Sequence, residues 1–164
     1  MSNYRLAQIN IAKLKAPLDS PELRDFVDNL DRINALAESS TGFIWRLVGD
    51  GNDATSLRPL GDNVIVNMSV WRDVPALLTY VYNSAHTAIM KRRREWFTRM
   101  AEMHMVLWWV PAGHVPTVEE AVARLKQLRE HGPTPEAFTF GEAFPAPDAS
   151  AAGVPISFKD GCPA

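Results

Sequence analysis

The first feature of the sequence that could carry chemistry is a histidine followed, at helical spacing, by a basic segment. Met90, Arg93 or Arg94, and Phe97 follow His86 at steps that place them on the same face of a helix. A neutral imidazole can act as a general base or bind a metal, and a guanidinium can hold a carboxylate or phosphate bidentately. The pattern predicts a face that binds an anionic small molecule, with His86 as its catalytic group.

Structural roles are the alternative for these residues. His86 would then cap a helix end or bond a backbone carbonyl, and the arginines would form a solvated basic face or ion pairs. Residues 91–99 carry five positive charges and one negative, a local +4, so the rest of a chain with net charge −2 sums to −6. One short basic cluster on an acidic chain makes few phosphate contacts, so we expect no nucleic-acid partner.

A second candidate group lies on the predicted strand over residues 103–110. His104 and Trp108 share one parity of this strand, and Leu107 and Trp109 share the other. A strand with tryptophan on both faces must bury both, because aromatic side chains bring large apolar areas. We expect one face to line a ligand cavity, with His104 and Trp108 as candidate contacts and core packing as the alternative.

Two amide side chains mark the first predicted strand, over residues 4–12. Gln8 and Asn10 lie on one parity of this strand, which is unusual for a central strand. An amide side chain can orient a bound group by hydrogen bonding.

The elements that must position these residues follow one another in the order β-α-β-β-α-β. Strands are predicted over 4–12, 43–48, 64–71 and 103–110, and helices after Ser20-Pro21 and after Asp73, the second with a break near Asn83-Ser84 and a continuation to Met100. An extra helix starts at the capping box formed by Thr117 and Glu120. Residues 49–62 are expected to form a loop or lid, and 138–144 a short edge strand. This order predicts an α+β, ferredoxin-like fold.

The strands are apolar on both parities, which bears on assembly. Val64, Val66, Met68 and Val70 alternate with Ile65 and Trp71 in the third strand. Helices on one face of the sheet would leave the other apolar face in water, so we expect a homodimer that pairs two sheets as a dimeric α/β barrel.

The chain is long enough for one domain, which we place at residues 1–144, followed by an irregular Pro/Ala/Gly-rich tail over 145–164. A single cysteine, Cys162, excludes a disulfide framework. No apolar run approaches ~18 residues and no signal peptide is recognisable, so we expect no membrane partner and a cytoplasmic location.

Four stretches carry a family resemblance: Leu6–Ala12, Gly42–Leu47, His86–Phe97 and Leu107–Thr117. Together they resemble the uncharacterised bacterial domain of unknown function DUF3291. That family is similar in fold to the dimeric α/β barrels of the antibiotic-biosynthesis-monooxygenase type. The resemblance therefore implies this fold and a superfamily of cofactor-free oxygenases, haem-degrading oxygenases, haem enzymes and proteins without known activity.

The resemblance also implies a possible haem site. In the haem-degrading relatives, a histidine at the end of the helix after the third strand binds iron, together with an asparagine from the first strand and a tryptophan within the helix. His86 and Asn10 match the first two, and Tyr80 stands where the tryptophan would fall, which departs from that pattern. His86 would be the metal ligand only if haem is bound.

Three functions remain open from the sequence. The first is a monooxygenase-like or haem-dependent enzyme for an aromatic or anionic small molecule, with His86 as base or ligand, Asn10 and Gln8 orienting, and an arginine among 92–94 holding the anionic group. The second is a non-catalytic protein that binds haem or an aromatic ligand. The third is a structural homodimer whose own Trp and Met side chains fill the pocket.

Overall fold

The computed structural model describes residues 2–149 of the 164-residue chain. Residues 145–149 belong to no helix or strand. The remainder of the predicted tail, including Cys162, lies outside the described residues. No helix within residues 2–149 is long and apolar enough to cross a membrane.

Residues 2–149 form five strands and five α-helices. The strands are β1 (Tyr4–Leu14), β2 (Phe43–Arg46), β3 (Val64–Trp71), β4 (Phe97–Thr98) and β5 (Met105–Pro111). The helices are α1 (Arg24–Ser39, after a 3-10 turn over Pro21–Leu23), α2 (Val74–Val81), α3 (Ser84–Lys91), α4 (Arg93–Trp96) and α5 (Val118–His131).

All strand pairs in the sheet are antiparallel. β1 pairs with β3 along one edge and with β5 and the short β4 along the other, and β2 pairs with the outer edge of β3. The resulting spatial order, β5-β1-β3-β2, is that of a split β-α-β fold. The predicted α+β, ferredoxin-like architecture is confirmed.

The sheet is covered by helices on both faces. On the first face, Leu6, Trp71 and Leu107 pack with Ala37 of α1 and Leu77 of α2. On the second, the side chains of α5 that face the sheet pack in one cluster with residues from β1, β3 and β5. That cluster includes Ala121, Leu125, Leu128, Ile9, Met68 and Trp108.

Helix α5 packs on the sheet face that was expected to form the homodimer interface. A homodimer was expected because helices on one face only would leave the second apolar face in water. Ile9 is 0% exposed and Met68 1% exposed within a single chain, because α5 and neighbouring side chains cover this face. The second apolar face therefore does not by itself require a partner, and the homodimer stays a prediction.

Two predicted elements differ from those observed. The helical pattern expected to run to Met100 ends at Trp96, after which Phe97 pairs with Leu14 in the short strand β4. The edge strand expected over 138–144 is reduced to a single bridge between Leu107 and Phe138. The break near Asn83 is observed, and Asn83 caps α3 by accepting a hydrogen bond at its side-chain oxygen from the Ala85 amide at 3.1 Å.

Candidate active site

A cavity of about 250 Å³ lies on the first sheet face, beneath α1, α2 and α3. Eight of the nine candidate residues line it, and they come from β1, α2, α3, α4, β4 and the segment before β5: Gln8, Asn10, Tyr80, His86, Arg93, Arg94, Phe97 and His104. Residues separated by almost a hundred positions in the chain thus line the same cavity. The cavity is not filled by Trp and Met side chains, as the third expectation required, and the homodimer itself stays a prediction.

Trp108 is the candidate that the structure places elsewhere. Its side chain is 0% exposed on the opposite sheet face, where its Nε1 donates a hydrogen bond to Glu120 Oε1 at 3.0 Å. It is a core residue, as the structural alternative held. His104 does line the cavity, because β5 begins only at Met105 and strand alternation does not extend back to His104.

The floor of the cavity is a network of four polar side chains on β1 and β3, which we call the amide floor: Gln8, Asn10, Asn67 and Ser69. Gln8 lies opposite Ser69 and Asn10 opposite Asn67 in the register of the two strands. Gln8 Nε2 donates to Asn67 Oδ1 at 2.9 Å and to Ser69 Oγ at 2.8 Å, and Asn10 Nδ2 donates to Gln8 Oε1 at 3.2 Å. Mutual hydrogen bonding fixes the orientation of these groups before any ligand arrives.

Two groups of the amide floor retain hydrogen-bonding capacity. Ser69 Oγ accepts from Gln8 Nε2 and, at 2.8 Å, from Trp71 Nε1, so both of its lone pairs are used. The Ser69 hydroxyl hydrogen then has no acceptor among residues 2–149, and Asn10 Oδ1 likewise has no donor there. A ligand in the cavity is therefore offered one donor and one acceptor from the floor.

Asn67 and Ser69 are the site residues that the sequence reasoning missed. Their signal was present, because both share the parity of Trp71 in a strand whose other residues are apolar. Two polar residues on the same face as the amides of β1 would have indicated a paired polar floor once the two strands were placed side by side.

His86 is held in one tautomer. Its Nδ1 lies 2.9 Å from the carbonyl oxygen of Val81, and since a carbonyl only accepts, Nδ1 carries the hydrogen and Nε2 a lone pair. Burial lowers the pKa of His86 below its ordinary value of 6.5, and the hydrogen bond to Val81 opposes this only in part. The imidazole is therefore neutral near pH 7. The structural alternative for His86 was a hydrogen bond to a backbone carbonyl. That hydrogen bond is observed, and it leaves Nε2 with a lone pair that can accept a proton.

Stacked aromatic rings support this imidazole. The His86 ring centroid lies 4.7 Å from that of Tyr80, which is stacked at 5.1 Å on Trp71. Tyr80 therefore occupies the position between the strand and the histidine. Burial raises the pKa of Tyr80 above its ordinary value, so its phenol stays protonated.

Among the described residues, arginines outnumber carboxylates in the lining of the cavity. Four arginines line it, Arg46, Arg93, Arg94 and Arg99, against a single carboxylate, Asp53. Arg46 is engaged, since its Nε donates to Glu38 Oε1 at 2.6 Å. The side chains of Arg94 and Arg99 are exposed and make no hydrogen bond or ion pair within residues 2–149.

His104 in the cavity wall and Arg92 outside it add no positive charge to the cavity. Burial and the nearby positive charge of Arg93 lower the pKa of His104, so this second imidazole is also neutral at pH 7. Arg92 faces elsewhere: it pairs with Asp25 at 2.7 Å and Glu95 at 2.9 Å, and lies over the Trp96 ring.

The loop over residues 49–62 borders the cavity. Asp53, Ala54 and Thr55 from this loop line it. Asn52 ties the loop to α1 by donating to Asp31 Oδ1 at 3.0 Å. The loop that was expected to form a lid therefore lies at the cavity and is hydrogen-bonded to α1.

A haem does not fit this cavity, although His86 offers a suitable nitrogen. A cavity of about 150 Å³ holds one benzene ring, so about 250 Å³ holds one or two rings rather than a macrocycle of four pyrroles. Within residues 2–149, no group of three or more His, Cys, Asp or Glu residues is arranged to hold a metal ion.

Comparison with known proteins identifies the family. Residues 5–153 match the model described as "Domain of unknown function (DUF3291)". The chain belongs to the DUF3291 family. The resemblance carried by its four sequence stretches is thereby confirmed, and no curated protein matches this DUF3291 chain.

Several solved structures resemble this DUF3291 protein at low sequence identity. PA3566 from Pseudomonas aeruginosa is 12% identical, with 70% of this chain and 98% of that chain covered and a TM-score of 0.47. SnoaB, a cofactor-independent oxygenase from Streptomyces nogalater, is 15% identical, with 70% and 97% covered and a TM-score of 0.46. A conserved protein from Methanosarcina mazei is 10% identical, with 66% and 93% covered and a TM-score of 0.48.

Proposed function

We propose that this DUF3291 protein is a cofactor-independent, monooxygenase-like enzyme that uses His86 as a general base on a small aromatic substrate. The observation that carries the proposal is the tautomer of His86. Its Nδ1 is committed to Val81, so Nε2 is a neutral base on the wall of a cavity large enough for one or two rings. A base with a pKa below 6.5 is in its active form throughout the neutral range.

The reaction begins with a proton transfer. Nε2 of His86 takes a proton from an acidic C–H group next to the aromatic ring of the substrate, leaving a carbanion. The carbanion gives electrons to dioxygen, a C–O bond forms, and the returned proton completes a hydroperoxide. Loss of water from the hydroperoxide converts the original CH₂ into a carbonyl, so that one substrate and one O₂ give one ketone and one H₂O.

The amide floor supports this sequence electrostatically. The Ser69 hydroxyl hydrogen has no other acceptor within residues 2–149 and can donate to the peroxide oxygen that becomes negatively charged when the C–O bond forms. Donors that are oriented in advance stabilise developing negative charge without reorganising, and removing one such donor typically costs a factor of about 10²–10³ in rate. The mutual hydrogen bonds of Gln8, Asn67 and Ser69 supply that orientation.

Oxygen uptake with labelled dioxygen tests the proposal. The protein would be offered one- and two-ring aromatic compounds with an acidic benzylic CH₂ group, in ¹⁸O₂, and the products examined by mass spectrometry. We expect one ¹⁸O in the carbonyl product and one in water. We expect His86→Gln, which cannot take up the proton, to reduce the rate by a factor of about 10²–10⁴.

The matched control is His131→Gln, at the end of α5 outside the cavity, which should leave the rate unchanged. Turnover that survives His86→Gln would overturn the role of His86. Tight binding of these compounds without any oxygen uptake would instead support the non-catalytic binding protein.

A further inference from the structure

The charge of the cavity wall is opposite to that of the chain as a whole. The chain carries a net charge of −2, yet four arginines, of which Arg46 is paired with Glu38, and one aspartate line the cavity. Charges of one sign around a cleft concentrate counter-charged ligands there. The imbalance therefore points to an anionic ligand.

Two of these arginines are uncommitted. Arg94 and Arg99 are exposed, and neither side chain bonds a carboxylate or any other group within residues 2–149. Arg92, two positions before Arg94, has two acidic partners, which shows that the local chain can supply them. A planar guanidinium suits bidentate recognition of an oxyanion.

Two aromatic rings line the same cavity as these arginines. Phe97, which lies between Arg94 and Arg99 in the chain, contacts Phe26 of α1 edge to face at 5.0 Å between ring centroids. Both rings line the cavity. An aromatic ligand in this cavity would therefore meet apolar ring surface in a wall that also contains the two arginines.

The register of the sheet separates the arginine end from the histidine end. Phe97 pairs with Leu14 near the end of β1, whereas Trp71, the base of the stack that carries Tyr80 and His86, pairs with Leu6. From His86, α3 continues five residues to Lys91, roughly 8 Å at ~1.5 Å per residue, before α4 and its arginines begin. A ligand of one or two rings can span this interval.

We propose that the substrate of this cavity is an aromatic oxyanion, a ring system carrying a carboxylate or phosphate that Arg94 and Arg99 bind at the mouth, with the reacting end next to His86 and the amide floor. The inference rests on the proposed function for the identity of the reacting end, but its charge requirement can be measured without turnover. Arg94 and Arg99 both belong to the basic segment over residues 91–99 that the sequence singled out.

Isothermal titration calorimetry with matched probes tests the charge requirement. The probes are 2-naphthoate, 2-naphthyl phosphate and the neutral 2-naphthamide, which share the ring system and differ in charge. We expect the unmodified protein to bind at least one of the two anions at least tenfold more tightly than the amide. The stronger of the two identifies the oxyanion as a carboxylate or a phosphate.

The variants locate the effect. In the double variant Arg94→Gln/Arg99→Gln we expect the preference for the anion to fall below threefold. The matched control is Arg32→Gln, an exposed arginine on α1 that does not line the cavity, and it should retain the full preference. Because all three side chains are exposed, none of these changes should prevent folding.

The outcomes separate this inference from the proposed function. Equal affinity for anion and amide, no binding of any probe, or an unchanged preference in the double variant would overturn the inference. His86→Gln should leave the anion preference intact while abolishing oxygen uptake. If uptake is absent but the preference is present and depends on Arg94 and Arg99, the inference stands and the oxygenase proposal fails.

Discussion

The Nδ1 atom of His86 lies 2.9 Å from the carbonyl oxygen of Val81, five residues earlier in the chain. Val81 is the last residue of α2, and the break at Asn83 turns the chain so that α3 can bring His86 back to this carbonyl. A helix end thus serves a second purpose, because its unsatisfied carbonyl orients an imidazole in the cavity wall.

The pKa of His86 is the first prediction. Burial lowers it below 6.5, so a ¹H–¹⁵N NMR titration should show the Nδ1–H tautomer at neutral pH and a midpoint below 6.5. At pH values between the folded and the unfolded pKa, the His86 imidazole is neutral in the folded protein and protonated in the unfolded chain. This contribution to stability is therefore present above pH 6.5 and lost as pH falls through the folded pKa.

Thermal unfolding measures the same linkage. Acidification from about pH 7.5 to about pH 5.5 should lower Tm less in His86→Gln than in the unmodified protein, since the variant has no proton to take up at this site. His104, whose pKa is lowered by burial and by Arg93, should behave in the same way, so His104→Gln is the parallel variant. A midpoint above 6.5 for His86 would contradict the proposed environment.

Haem binding is the second prediction, and its expected outcome is negative. The cavity of about 250 Å³ is too small for the macrocycle, so haemin titration should give no Soret band that depends on His86. The measurement is the absorbance spectrum of the unmodified protein and of His86→Ala at equal haemin concentration. A stoichiometric band that disappears in His86→Ala would show that the cavity opens far beyond its present volume.

The local sequence pattern predicted most of the helices and strands, but it did not predict which face of the sheet each helix covers. β3 is observed over the predicted residues 64–71, and Thr117 caps α5 as its capping box indicated, with its side chain accepting from the Glu120 amide. Local hydrophobic periodicity does not predict that α5 packs on the second face of the sheet. This packing buries Trp108, and it covers the apolar face for which the strand pattern had indicated a partner.

The candidate site was predictable to the extent that its residues are chemically distinctive. His86 and the arginines stand out because a helix with a histidine and a basic run is unusual. Asn67 and Ser69 are modest polar residues within an apolar strand, and their role emerges only when β3 pairs with β1 in register. The shape of the cavity depends on that register and on the position of the loop over 49–62. Hydrophobic periodicity in the sequence predicts neither of them.

Ser69 is the subject of the third prediction. Its Oγ accepts hydrogen bonds from Gln8 and Trp71, and the residue is only 6% exposed. Ser69→Ala would leave two buried donors without their acceptor, which should lower the free energy of unfolding by about 1–3 kcal/mol. Urea denaturation measures this loss.

The control is Ser39→Ala, where the hydroxyl is exposed near the end of α1 and donates to the Leu36 carbonyl at 3.1 Å. We expect that substitution to change stability by no more than about 0.5 kcal/mol. Equal effects at the two serines would show that the hydrogen bonds of the amide floor contribute no more to stability than a surface hydroxyl.

Glu120 is the subject of the fourth prediction, on the sheet face opposite the cavity. Its Oε1 accepts from the buried Trp108 Nε1 at 3.0 Å, and its Oε2 lies 2.7 Å from His114 Nε2. Burial alone would raise the pKa of Glu120, but the hydrogen bonds to His114 and Trp108 outweigh it and lower the pKa below 4.5. The stability from this shift is present above pH 4.5 and lost as pH falls through the folded pKa.

Glu120→Ala should therefore lower the free energy of unfolding by about 1–3 kcal/mol at pH 7, because it leaves the Trp108 donor buried and unpaired. Glu120→Gln keeps an acceptor for Trp108 and should recover most of that loss. Glu119→Ala removes a neighbouring, exposed charge from the same first turn of α5, so it reports the helix-dipole contribution alone. If Glu119→Ala and Glu120→Ala cost the same in urea denaturation, Trp108 does not depend on Glu120 for its place on the second face.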